Sequence, residues 1–254
     1  MHRLTAGAAR SLALILLTLS QAGCATAAAG RNPADPIEPV NRSFYKFNDA
    51  VDRAALKPVA RVYRDHTPKW LQTGVGHFYT NLSYPWTIAN QLLQGKVLAA
   101  GQDTLRFAIN TTLGWGGVLD VASGANLPQH DEDFGQTLGW WGVPPGPYLM
   151  LPLLGPSTLR DLPSMVGERF LEPFYWYDSG NERWFSLALS LVDKRAELLP
   201  LDAGLERVYD KYGVIRDAYL QRRQFKVYDG NPPEETLDEQ LEDPALDVEP
   251  SPGE

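Results

Sequence analysis

Apolar residues recur at spacings of three and four along several segments of the chain, a pattern that indicates amphipathic α-helices. The segments run from Val40 up to Pro58, from Gln94 to Ile109, from about Glu182 to Leu199, and from Leu205 to Phe225. Asn41 is a candidate N-cap for the first helix, and Pro58 is expected to end it. No segment has a convincing alternation of apolar and polar residues, which would indicate a strand. The pattern predicts a mainly α fold, with loops rich in glycine and proline between the helices.

Three further stretches are apolar but poor in helix signals, and their backbone is predicted to be irregular: residues 81–95, 110–126 and 139–156. The last of them, GWWGVPPGPYLMLPLLGP, holds four glycines and five prolines. Because proline lacks a backbone donor and glycine weakens regular elements, this stretch is predicted to be irregular and to make a poor strand. Unpaired backbone groups are costly in lipid, so such a stretch is tolerable where it is buried in protein or lines a cavity. For each stretch taken alone, packing in a protein core is the simpler interpretation.

The first residues have the layout of a secretory signal. Two arginines precede an apolar run from Leu12 to Leu19, which is too short to cross a bilayer, and small residues then lead to Cys24. The end of this segment resembles a bacterial lipoprotein signal, which implies cleavage after residue 23, acylation of Cys24 and, with Ala25 following, sorting to the outer membrane. Ordinary signal cleavage with an incidental thiol is the alternative. Cys24 is the only cysteine, so an intramolecular disulfide and a multi-cysteine metal site are excluded.

Composition divides the rest of the chain into three parts. Residues 24–36 are predicted to be a flexible tether, residues 37–228 one helical domain and residues 229–254 a disordered acidic tail. The tail holds ten acidic and no basic residues, whereas residues 24–228 hold 21 of each sign. A body of balanced charge argues against a nucleic-acid partner, which would require a basic surface.

The sequence gives little support to an enzyme. It has no G-x-S-x-G, H-E-x-x-H, Walker or G-x-G-x-x-G motif, and it predicts neither a metal site nor a cofactor. The segment HDED at 130–133 has the residue types of a metal or acid–base site, although a solvated turn or a helix cap is the simpler interpretation. A pair formed by His77 with Ser83 or Ser157 is conceivable, but nothing in the sequence supports it.

Four blocks carry a resemblance to a known family: DPIEPVNRSFYKFND, FAINTTLGWGGVLDVA, FGQTLGWWGVPPGPYLMLPLLGPSTLRD and RDAYLQRRQF. They resemble the MlaA (VacJ) family of outer-membrane phospholipid-transport lipoproteins, over about residues 35–228. The resemblance implies a single domain of interfacial helices that form a ring around a central channel, anchored on the periplasmic side of the outer membrane. It implies removal of misplaced phospholipid from the outer leaflet, transfer to a periplasmic lipid carrier of the MlaC type, association with a trimeric OmpC-like porin, and no cofactor.

The resemblance also implies roles for individual residues. It places 139–156 at a hairpin-like loop beside the channel, whose candidate residues are Gly139, Gly142, Pro144, Gly146 and Gly155. Pro144 stands where many relatives have glycine and should stiffen the loop. We expect a nearly rigid flap that moves about Gly139 and Gly155, with positive φ at Gly142 and Gly146.

Phe44 and Phe47 lie on one face of the first predicted helix. We expect this face to be sunk in the bilayer interface or packed against the ring, with core burial in an ordinary helical bundle as the alternative. Two other functions stay open. One is a porin-associated scaffold that does not pass lipid, and the other, with less support, is a periplasmic lipid hydrolase.

Overall fold

The structure is a computed structural model that describes residues 32–165 and 180–233. Its helices are α1 (Glu38–Val51), α2 (Lys57–His66), α3 (Lys69–Leu93), α4 (Val97–Thr112), α5 (Val121–Gly124), α6 (Phe134–Trp140), α7 (Gly180–Leu198), α8 (Asp202–Leu205) and α9 (Lys211–Val227). Two short strands, β1 (Tyr148–Leu151) and β2 (Gly155–Thr158), form an antiparallel hairpin. The prediction of a mainly α fold is confirmed.

Three predicted helices correspond to α4, α7 and α9. Helix α9 begins six residues later than predicted, at Lys211, because the Asp210 side chain caps it by accepting a hydrogen bond from the Gly213 amide at 3.2 Å. The segment from Leu205 to Asp210 is instead the end of α8 and a turn.

The first helix is longer than predicted. After α1 the backbone forms one π-helical turn, Asp52–Leu56, and continues directly into α2, where Pro58 occupies the first turn. Pro58 therefore does not end the helix, because the wider π turn comes just where proline cannot supply an amide donor. Asn41 does not cap the helix either: it lies inside α1 and is 1% exposed.

The prediction of irregular backbone at 81–95 is wrong. Most of this stretch belongs to α3, which contains Pro85 in its interior. An interior proline costs a helix about 3 kcal/mol, but α3 packs along α4 and buries Tyr84, Thr87 and Asn90 around the proline. Tertiary packing outweighs the local preference. In the second stretch, residues 113–120 between α4 and α5 do form turns.

The prediction that 139–156 is irregular and makes a poor strand is also wrong for part of this stretch, because residues 148–151 and 155–156 lie in β1 and β2. Tyr148 pairs with Thr158 and Leu151 with Gly155. The outer edge of β1 has partners from α1: the Asn41 side chain donates to the Tyr148 carbonyl at 3.0 Å and accepts from the Met150 amide at 2.9 Å. These contacts satisfy backbone groups that a two-stranded hairpin leaves without partners. They join residues far apart in the chain, so the local sequence does not predict them.

The hairpin also contacts the segment before α1. The Tyr148 amide donates to the Ala34 carbonyl at 2.8 Å, and Asp35 is fully buried, accepting from Asn41 at 2.7 Å and from the Tyr212 hydroxyl. The described fold therefore includes residues that the sequence analysis assigns to the tether. In the described ranges, 32–165 and 180–233, no helix combines the length and apolar character needed to cross a bilayer.

Candidate functional site

The distribution of polar and apolar side chains is inverted relative to an ordinary globular protein. Within the described residues, ten apolar and nineteen polar or charged residues are buried, while thirty-two large apolar residues are exposed. Six of the buried apolar residues form two small clusters. One contains Ala60, Ala196 and Leu199, and the other Tyr148, Met150 and Tyr212. The candidate functional site is therefore the exposed apolar surface together with the polar interior that supports it, and not a single pocket.

The apolar face of α1 is part of the exposed surface. Phe44 is 38% exposed, Phe47 48% and Val40 50%. The alternative that this face packs in the core of a helical bundle is wrong. The opposite side of α1 packs on the rest of the fold, where the Arg42 guanidinium forms a bidentate ion pair with Asp210, at 2.8 and 2.6 Å.

Two loop tips present large apolar side chains on a strained backbone. Trp115, in the turns after α4, is 82% exposed with φ of 55°, and Leu153, at the hairpin tip, is 65% exposed with φ of 63°. The left-handed region costs a non-glycine residue roughly 1 kcal/mol. Neither side chain gains burial within the described fold in return, which is typical of residues held for a function.

The predicted loop glycines have different environments. Gly142, Gly146 and Gly155 have positive φ of 85°, 65° and 85°, so the expectation for the first two is confirmed. Residues 141–146, including Pro144, are exposed. Gly139 instead lies in α6, where an added Cβ would come within 2.9 Å of the Arg160 and Val227 side chains.

The interior between α3, α4 and α5 is organised by a buried arginine. Arg106, 1% exposed, donates to the Tyr84 hydroxyl at 2.7 Å and to both carboxylate oxygens of Asp120 at 2.9 Å. Burial would raise the pKa of Asp120, but hydrogen bonds from Ser123 and Asn110 and the charge of Arg106 outweigh it and hold that pKa at about 2. The turns that carry Trp115 are thus held between α4 and a satisfied ion pair.

A second polar chain connects the end of α3 to α6. Thr137 donates to Asn90 at 2.8 Å, and Gln94 donates to Thr137 at 3.0 Å and to Glu132 at 2.9 Å. Glu132 is also paired with Lys96 at 2.9 Å. This chain fixes the loop before α6 with side-chain hydrogen bonds where another protein would use apolar packing.

A third cluster joins α6, the hairpin and α9. The Arg223 guanidinium donates to Asp133 at 2.9 Å and to Asp161 at 3.0 Å, and the Tyr219 hydroxyl donates to Asp161 at 3.0 Å. Burial would raise the pKa of Asp133, but the Arg223 guanidinium and the hydrogen bonds from Gln136 hold it at about 2. The exposed loop at 141–146 is therefore framed by elements that ion pairs lock together.

Several side chains that the sequence marks as candidate catalytic groups have structural roles in the described fold. Asp133 caps α6 by accepting from the Gln136 amide at 2.9 Å, as the simpler interpretation of HDED expects. The Ser83 hydroxyl donates to the Thr80 carbonyl at 2.8 Å, and Ser157 is buried. Across residues 32–165 and 180–233, no group of three metal-ligating side chains comes together.

One cavity of about 340 Å³ lies between α2 and the segment around α8. Its walls are mostly charged, with Arg61 and Arg64 on one side and Asp202 and Glu206 on the other. Lys57 already pairs with Asp202 at 2.9 Å and with Glu206 at 3.3 Å. A wall of this kind does not suit an acyl chain.

The predicted anchor Cys24 lies outside the described residues.

A helical fold with a polar interior and many large apolar side chains on its surface is typical of a protein that works in contact with lipid or with a partner protein. Its family follows from comparison with known proteins. Residues 33–226 match the family model described as MlaA lipoprotein, and the chain belongs to this family.

Named relatives agree with this assignment. The chain is similar to the intermembrane phospholipid transport system lipoprotein MlaA of Escherichia coli (strain K12), with 35% identity over 92% of this chain and 97% of the relative. Similarity to the protein of the same name from Haemophilus influenzae is 34% identity over 86% of this chain and 90% of the relative. A solved structure from a study of the structural basis for maintenance of bacterial outer membrane lipid asymmetry matches 78% of this chain and 100% of its own, with 35% identity and a TM-score of 0.68.

Four residues that organise the described fold could not be recognised as such from the sequence: Arg106, Asp120, Asn41 and Asn48. Each belongs to a quoted family block or a predicted helix, but a single sequence contains no sign that Arg106 is buried. The only signal for the two asparagines is their spacing of seven, which places them on the same face of α1.

Proposed function

We propose that this protein is a non-enzymatic lipoprotein that removes misplaced phospholipid from the outer leaflet of the outer membrane and so maintains lipid asymmetry. The observation that carries the proposal is the inverted polarity of a chain in the MlaA family. Exposed apolar residues such as Phe44, Trp115 and Leu153 suit acyl chains and the bilayer interface, and buried ion pairs hold the scaffold without an apolar core.

The remaining parts of the proposal follow from the family resemblance. Acyl chains on Cys24 anchor the protein on the periplasmic side of the outer membrane, and two or more chains make that anchoring stable. Lipid passes through a channel bordered by the 141–146 loop to a periplasmic carrier of the MlaC type, and a trimeric OmpC-like porin holds the protein in place. No cofactor is required, because the step moves a lipid without chemical change.

A pair of charge substitutions on α1 tests the role of the apolar face. Phe44→Asp and Ser43→Asp each add one negative charge at an exposed position of the same helix, but only Phe44 belongs to the apolar face. In cells that lack the native gene, we expect the wild-type chain and Ser43→Asp to keep outer-leaflet phospholipid low and Phe44→Asp to let it accumulate. Unchanged outer-leaflet phospholipid after deletion of the gene would overturn the proposal.

The scaffold alternative predicts binding of porin without passage of lipid. A bulky residue at the exposed loop, Pro144→Trp, separates the two functions. Loss of lipid removal with unchanged porin co-purification supports passage beside the loop. Normal lipid removal by this variant would argue against a path at 141–146.

A further inference from the structure

Two asparagine side chains of α1 bind the backbone of the hairpin in the same way. Asn48 donates to the Leu151 carbonyl at 2.8 Å and accepts from the Leu153 amide at 2.7 Å. Asn41 makes the corresponding pair of bonds with Tyr148 and Met150, at 3.0 and 2.9 Å. Each side-chain amide thus uses one donor and one acceptor on β1 and its continuation.

The spacing of these contacts matches between the two elements. Seven residues of α-helix rise about 10.5 Å. The two carbonyls that accept, Tyr148 and Leu151, are three residues apart, as are the two donating amides, Met150 and Leu153, and three strand residues span about 10 Å. Asn41 therefore pairs with the free edge of β1, and Asn48 binds the backbone where β1 ends and the hairpin turn begins. We refer to Asn41 and Asn48 as the asparagine bracket.

The two ends of the bracket have different surroundings. At the first end, Asn41 is 1% exposed, also bonds Asp35, and lies beside the fully buried Tyr148. At the second end, Asn48 is partly exposed and binds Leu153, whose side chain is exposed and whose backbone is strained. Loss of Asn41 therefore affects folding first, whereas loss of Asn48 releases the hairpin tip.

We propose that Asn41 and Asn48 are positioning residues for phospholipid removal, which hold the hairpin tip, Leu153 and Leu154, at a fixed height along the apolar face of α1. The inference rests on the proposed function. Phe44 and Phe47 stand on the exposed face of the helix that carries the bracket. When the tip is fixed, the apolar side chains of the tip and those of the α1 face contact lipid at the same depth. When the tip is released, this alignment is lost although the rest of the fold is unchanged.

Asn48→Leu is the main test, because leucine keeps the size of the side chain and favours helix while removing both hydrogen bonds. Asn48→Asp is the second variant: it keeps an acceptor for the Leu153 amide but turns a carboxylate oxygen toward the Leu151 carbonyl. Ala60→Gly is the matched control, since it weakens a buried position of α2 that has no contact with the hairpin in the described bonds. Hydrogen exchange at Leu153, the thermal midpoint and outer-leaflet phospholipid are measured for all of them.

We expect Asn48→Leu to speed exchange of the Leu153 amide by about tenfold, as loss of a hydrogen bond allows. It should also impair lipid removal by more than its decrease in the thermal midpoint accounts for. Ala60→Gly should lower the midpoint with normal lipid removal and normal exchange at Leu153. The inference is overturned if Leu153 exchange rises while lipid removal is unchanged, or if lipid removal follows the midpoint in the same way for all variants. Failure of the wild-type chain to remove lipid refutes the proposed function instead, and is seen separately in the deletion strain.

Discussion

Replacing Gly139 by alanine gives a sharp test of how the 139–156 segment is built. The sequence predicts that Gly139 is a hinge, so that its substitution alters transport more than stability. In the structure Gly139 is a helical residue of α6 in close contact with neighbours, and an added Cβ would lie 2.9 Å from Arg160 Nη1 and from both Val227 methyl groups. We therefore expect the main effect on stability.

The magnitude follows from the size of the overlap. Carbon atoms pack at about 3.5–4.0 Å, so the neighbours of a Cβ at Gly139 have to move by more than 0.5 Å. Val227 is buried, and Arg160 is bound to Asp161 at 2.9 Å, so neither is free to move. Overpacking of this kind costs about 1–3 kcal/mol, and the preference of a helix for alanine over glycine offsets about 0.5–1 kcal/mol of it. The net loss of about 0.5–2 kcal/mol corresponds to a decrease of about 1–8 °C in the thermal midpoint of a chain of this size.

Gly101→Ala is the control for this experiment. Gly101 lies in α4 with nothing within 4 Å of an added Cβ, so alanine should stabilise the helix by about 0.5–1 kcal/mol. Thermal unfolding of both variants, followed by circular dichroism in one detergent, measures the difference. A thermal midpoint of Gly139→Ala equal to or above the wild-type value would refute the packing argument. If such a variant also lost transport, the prediction that Gly139 is a hinge would be supported instead.

Three further outcomes are expected. Cys24→Ser should prevent acylation, so that the protein stays uncleaved in the inner membrane or is released. A mature-sized variant at normal levels in the outer membrane, in fractionated cells, would contradict this. A depth-sensitive fluorophore at Phe44 should be quenched by lipid-bound quenchers, and quenching only by aqueous agents would place the α1 face in water. Because the folded pKa of Asp133, about 2, is below its usual value, its ion pair with Arg223 stabilises the fold above about pH 4 and is lost as the pH falls toward 2. Arg223→Met should therefore flatten the acid limb of a stability profile, and an unchanged limb would assign acid unfolding to other groups.

Helices could be predicted where the apolar period was regular. Helices α4 and α7 lie within a few residues of the expected ranges because their amphipathic pattern persists over four turns. The prediction failed where tertiary contacts override local preference. Pro85 argues against a helix on its own, but the packing of α3 along α4 retains one.

The candidate site was predictable only in part. Positive φ at Gly142 and Gly146 follows from the residue type in a proline-rich loop, and the exposed aromatic face of α1 follows from its period. The family resemblance implies a hairpin-like loop, but its two strands could not be predicted from the local sequence, because the partners that hold the backbone are side chains of a helix about a hundred residues earlier in the chain. Arg106 looks like any helical arginine until its buried partners are known.

The burial of Asp35 has a consequence for the range of the protein. If Cys24 carries the acyl chains, as proposed, only ten residues lie between it and the buried Asp35, and the chain from Cys24 to Asp35 reaches about 40 Å at full extension. A tether of this length confines an anchored protein to a thin layer beside its own membrane, so the protein meets lipid by diffusion in two dimensions. Lipid that moves beyond this layer must be carried by another molecule. The short tether keeps the place where lipid is transferred to such a carrier at the membrane surface.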